Sequence, residues 1–97
     1  QLRRDRMRII AYFLAQERME ELLTFAEVFP NPQLRNETRQ QVNNFTQFER
    51  QVNFTCPPTG LNADYNNLTL INVTVFWNAS GRQRQFSLLS MVANFSN

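Results

Sequence analysis

The chain has 97 residues and 42% hydrophobic content, which predicts one folded domain with a modest core. It contains no His and only one Cys, which excludes Ser/His/Asp and Cys/His catalytic arrangements and zinc sites built from His or several Cys. All ten basic residues are Arg, and the net charge is only +2. The composition favours a binding or assembly protein over an enzyme, and no cofactor is expected.

The first predicted element is a long helix over residues 7–29. This is the only long stretch that has helical character and lacks Gly and Pro, and Pro30 and Pro32 end it. Its second half is amphipathic, with apolar residues at helical spacing that predict packing on the rest of the chain. This stripe, extended backward by two small residues, consists of Ala11, Ala15, Met19, Leu22, Leu23 and Ala26.

The first half of the same helix is apolar on every side over residues 9–15. One covering sheet cannot bury such a helix, so we expect contact with other helices or other subunits. In an isolated domain these side chains should then be exposed, whereas a compact core that wraps them is the alternative. The candidate interface residues are Ile9, Ile10, Phe13 and Leu14.

Charged residues flank the apolar part of the helix. Arg3, Arg4, Arg6 and Arg8 form either a basic patch for nucleic acid or anionic lipid, or a solvated first part of the helix. Further along, Arg18 and Glu21 have the spacing of an ordinary surface ion pair, so the nearby carboxylates are not predicted to be catalytic.

The remainder of the chain predicts a loop and then strands. Residues 30–44 are polar and are assigned to a loop, with a short surface helix over 33–44 as the alternative. Residues 45–55 alternate as a half-buried strand, and residues 68–77 and 82–92 form a β-hairpin around a turn at 78–81. The expected core-facing residues of the strands are Phe48, Val52, Phe54, Ile71, Val73, Val75, Trp77, Phe86, Leu88 and Val92, with Arg50 as an exception among them.

These elements predict a single α+β domain over residues 1–97. The helix occupies 1–29, the loop 30–44 and the sheet 45–97. The sheet should have about three antiparallel strands, end in the hairpin and pack on the amphipathic half of the helix.

Asn-X-Ser/Thr sequons occur seven times, against about 1–2 expected by chance. They indicate either a secreted, glycosylated binding module or an Asn-rich sequence in which Asn and Thr alternate along polar strand faces. Asn53 and Asn72 fall in predicted strands and are poor acceptors, and the candidate acceptors are Asn36, Asn44, Asn67 and Asn78.

Three segments resemble the type IV pilin-like family. Residues 11–23, AYFLAQERMEELL, are similar to the part of the family's N-terminal helix that follows its membrane-spanning half. Phe48, Arg50 and Val52 match a middle strand, and residues 70–94, LINVTVFWNASGRQRQFSLLSMVAN, are similar to the closing hairpin. Within the family the chain is most similar to the minor pseudopilins of type II secretion systems, particularly the I-type subunit, and to the V-type minor pilins.

The resemblance implies a non-enzymatic filament subunit. Such a protein would be anchored in the bacterial inner membrane by a half-helix preceding Gln1, and its domain would lie in the periplasm or on the extracellular face. Its partners would be other pilin or pseudopilin subunits bound through the N-terminal helix, in some cases in a tip complex that initiates assembly. A small-molecule substrate is not expected, and a minor pilin that binds DNA through its N-terminal arginines is a further alternative.

Overall fold

The computed structural model describes residues 2–24, 36–55 and 68–93, with side chains in the helix described from residue 6 onward. One helix and four strands are found in these ranges, and the strands form an antiparallel sheet in the order β1-β2-β3-β4. The helix packs on β3 and β4, which confirms the predicted α+β arrangement. The elements are α1 (Leu2–Thr24), β1 (Glu37–Val42), β2 (Phe45–Thr55), β3 (Leu68–Ala79) and β4 (Arg82–Ala93).

One stripe of α1 faces the sheet. Ala11 and Ala15 are fully buried, because their small side chains let the helix backbone approach the strands closely. Met19 and Leu22 continue this buried stripe toward the end of the helix, as predicted. Leu23 was predicted to belong to it but is exposed, since one further residue turns the side chain about 100° around the helix axis. Ala26 lies outside the described residues.

The predicted core-facing residues of the strands are confirmed, although in β3 the outward-pointing Thr74 and Phe76 are buried as well. Because successive strand side chains point to opposite faces, alternate residues of β2 and β3 reach the core. β4 lies nearer the margin, and its inward residues are half-buried against the same core. The core-facing strand residues are Phe48, Val52, Phe54, Ile71, Val73, Val75, Trp77, Phe86, Leu88 and Val92.

The loop predicted over residues 30–44 is wrong for residues 37–42, which form β1 and bring the sheet to four strands rather than three. The segment is polar along its length, and only Val42 is buried, so it carries no hydrophobic alternation. Pairing with β2 stabilises it instead, beginning at Glu37 opposite Val52. Asn44 closes the tight turn into β2 with φ of 70°, a left-handed conformation that Asn tolerates.

The predicted β3–β4 hairpin is confirmed. Its register runs without interruption from Leu68 opposite Ala93 to Ala79 opposite Arg82. Ser80 and Gly81 form the two-residue turn with φ of 54° and 77°, which matches the right-handed twist of the flanking strands. Residues 56–67, which connect β2 to β3, lie outside the described residues.

Candidate subunit interface

The candidate interface on the first half of α1 is only partly exposed. Ile9 and Phe13 are 55% and 61% exposed, as expected of interface residues in an isolated domain. Ile10 is half-buried against the core, and Leu14, at 5% exposure, belongs to the core itself. The expectation of exposure is therefore wrong for Leu14, because it follows Ala11 by three residues and shares its sheet-facing side.

An aromatic cluster flanks this exposed surface. The ring of Tyr12 lies 6.0 Å from that of Phe13 and 5.7 Å from that of Phe86, both in edge-on arrangements. Together with Ile9 these rings border a shallow groove between α1 and β4, which Arg84 also lines. Tyr12 was not among the predicted interface residues, although its place within the apolar 9–15 segment could have indicated it.

On the other side of the helix, Arg50 joins β2 to α1. Its guanidinium donates a hydrogen bond to the main-chain oxygen of Leu14 at 3.1 Å and lies 3.5 Å from a carboxylate oxygen of Glu17. This contact explains why a charged residue interrupts the apolar face of β2. The arginine thereby ties β2 to the middle of α1.

Replacing Arg50 with Ala is expected to lower the free energy of unfolding by about 1–2 kcal/mol, because a charged hydrogen bond between helix and sheet is lost. Urea unfolding of the variant measures this. Arg82→Ala, at an exposed position beside the β3–β4 turn, is the matched control and should change stability by less than about 0.5 kcal/mol. Equal losses for the two variants would show that Arg50 does not hold the helix.

A second ion-pair cluster ties the later part of α1 to β1. Arg18 pairs with Glu21 at 2.8 Å, as predicted, and also binds the Glu37 carboxylate through two nitrogens. The hydrogen bond to Glu37 raises the pKa of Arg18 above its ordinary value, and the bond to Glu21 adds to this while burial opposes it. Glu37 could not be anticipated as a partner, because the strand that carries it was not predicted.

Another arginine covers the outer face of the sheet, opposite α1. Arg39 of β1 stacks on the ring of Phe76, with its guanidinium carbon 3.9 Å from the ring centre. The same side chain binds Glu49 and donates a hydrogen bond to Gln83 of β4 at 2.8 Å. Phe76 is thereby buried although it points away from the helix.

The remaining predicted sites are scattered. Asn36, Asn44 and Asn78 are exposed, and the side-chain oxygen of Asn36 accepts a hydrogen bond from the main-chain N–H of Phe54 at 2.7 Å. Asn67 lies outside the described residues. In the basic segment, Arg6 and Arg8 are exposed, whereas the side chains of residues 2–5 are outside the description. Among the described residues, no group of three or more His, Cys, Asp or Glu side chains is placed to hold a metal ion.

Comparison with models of known protein families, with curated proteins and with solved structures finds no match to this chain. Within the described ranges, no helix combines the length and the apolar character needed to cross a membrane.

Proposed function

We propose that this chain is a non-enzymatic filament subunit of the pilin kind, which assembles with other subunits through the exposed first half of α1. The observation that carries the proposal is the two-sided character of this helix. Ala11, Leu14 and Ala15 are buried against the sheet on one side of α1. Ile9 and Phe13 are exposed on the other side. A helix with apolar residues on both sides needs a second neighbour.

The details of the proposal follow the sequence resemblance. The order of elements, with the helix first and the hairpin last, is the order expected of a minor pseudopilin of a type II secretion system or of a V-type minor pilin. In that setting a membrane anchor precedes the helix, and the sheet domain projects from the inner membrane while Ile9 and Phe13 contact neighbouring helices. A place in a tip or initiation complex is part of the same proposal.

Phe13→Glu tests this function in the full-length protein in its own cells. We expect incorporation into filaments to fall about tenfold or more, because burying one Phe side chain contributes about 1.5–3 kcal/mol. Immunoblotting of purified filaments against the total cellular protein measures the incorporated fraction. The melting temperature of the isolated domain should stay unchanged, since Phe13 is exposed there.

Phe45→Glu is the matched control, because Phe45 is also an exposed Phe, at 43%, but lies on β2 beside the β1–β2 turn, outside both α1 and β4. It should be incorporated like the unaltered protein. Normal incorporation of Phe13→Glu, or an equal loss for both variants, would contradict assembly through the helix.

A further inference from the structure

The two edges of the sheet differ in how they are protected against pairing with another strand. β1 has six residues, carries Glu37 and Arg39, and shows two shifts in its register with β2. Short length, charge and irregularity are the features by which proteins keep an edge strand from pairing. The β1 edge is therefore protected.

Beyond Arg82 and Arg84 at its start, the β4 edge has none of these features. The strand has twelve residues and pairs with β3 without a register shift. From Gln85 to Ala93 it contains no charged residue, no Pro and no Gly. Its outward side chains include Leu89, which is 59% exposed, and Met91. Among the described residues, no strand pairs with the outer edge of β4. A long, regular edge without charge presents main-chain donors and acceptors to an incoming strand.

We propose that β4 pairs antiparallel with β4 of a second copy of this chain, about a two-fold axis that passes through Leu89. The sheet then continues from one copy into the other. The occupant is a second copy because the uncharged segment 85–93 is centred on Leu89 and complements itself. In this register Phe86 lies opposite Val92, Ser87 opposite Met91 and Leu88 opposite Ser90, so that no charged residue is placed in a pair.

The position of the helix supports the same arrangement. α1 lies over the middle of β3 and β4, so its axis is about one strand spacing, or about 4.8 Å, from the proposed two-fold axis. The helices of the two copies are therefore about 10 Å apart. This is the distance at which helices pack. Tyr12 contacts Phe86, so the side of α1 that carries Tyr12 faces β4. Leu23 lies on the same side of α1, about three helical turns after Tyr12. The helices run antiparallel, which sets Tyr12 against the Leu23 end of the partner helix.

This contact adjoins the filament surface at Tyr12, whose ring lies 6.0 Å from that of Phe13, but its centre at Leu89 on β4 is distinct from that surface. Sedimentation equilibrium of the isolated domain should show a dimer. Leu89→Lys places two positive charges opposite each other at the axis, and we expect the dissociation constant to rise at least about tenfold. Leu70→Lys is the matched control, because Leu70 also points outward but lies on the inner strand β3, and it should dimerise normally.

Disulfide cross-linking tests the register in a Cys56→Ser background. Leu89→Cys should form a disulfide-linked dimer on mild oxidation, because the two introduced thiols meet at the axis. Gln85→Cys, on the same face of the same strand, should not. Cross-linking at 85 but not at 89, or equal cross-linking at both positions, would overturn the proposed pairing.

A monomer at all concentrations would also overturn it. So would a dimer that survives Leu89→Lys but is lost in Phe13→Glu, which would place the contact on the filament surface instead. The converse result, dimerisation of Phe13→Glu at normal strength, supports edge pairing and leaves the filament proposal to its own test.

Discussion

Replacing Phe48 with Ala is expected to lower the free energy of unfolding by about 3–5 kcal/mol. The side chain is 1% exposed and is among the largest that are fully buried in the described residues. It pairs across β2 and β3 with Trp77, whose ring centre lies 6.0 Å away. Truncation removes this aromatic contact and leaves a cavity between two strands that the register prevents from closing. For a domain of this size the loss is a large part of the total stability.

Urea unfolding followed by Trp77 fluorescence measures the effect of Phe48→Ala. Phe45→Ala is the matched control on the same strand, because its side chain is exposed beside the β1–β2 turn. It should cost less than about 0.5 kcal/mol. If the two variants lost equal stability, the core would not lie where the structure places it.

Enlarging Ala15 to Leu is expected to destabilise the domain by about 1–3 kcal/mol, because the added atoms have no space between helix and sheet. Ala15 is fully buried, and its small side chain sets the distance at which α1 rests on the strands. The Leu side chain can be accommodated only by lifting the helix. Such a movement also disturbs the hydrogen bond from Arg50 to the oxygen of Leu14.

Glu20→Leu provides the control for Ala15→Leu, since it introduces the same side chain on the exposed side of α1. Its melting temperature should remain close to that of the unaltered domain, because Leu and Glu have similar helix propensities. A Leu at position 15 that left the melting temperature unchanged would mean that the helix is not in close contact with the sheet.

Hydrophobic periodicity and turn residues together predict most of this fold. The alternation in residues 68–77 gave the central strand, and Ser80 and Gly81 supplied the turn chemistry of the hairpin. The buried stripe of the helix was predicted except for Leu23. Residues spaced three or four apart share one side of a helix, which made Ala11 and Ala15 predictable as the point of close approach.

The parts that could not be predicted depend on contacts between distant segments. β1 carries no alternation of its own, and its position follows from pairing with β2 and from Glu37 binding Arg18. In the 9–15 segment every side is apolar, and Leu14 is buried because it shares the sheet-facing side of Ala11 and Ala15, so periodicity alone could not separate it from exposed Phe13. The break in the alternation at Arg50 was the one visible signal of its contact with α1.

The strand order has a consequence for how the domain folds. Because β1, β2, β3 and β4 lie side by side in the order of the chain, each strand pairs only with strands that are its neighbours in sequence. The sheet can grow by adding one hairpin to the next, beginning with the tight β3–β4 turn, and without closing a large loop at any strand-pairing step. Docking of α1 on β3 and β4 joins the most distant parts of the described chain, so this step carries the largest loop-closure entropy in the folding of the domain.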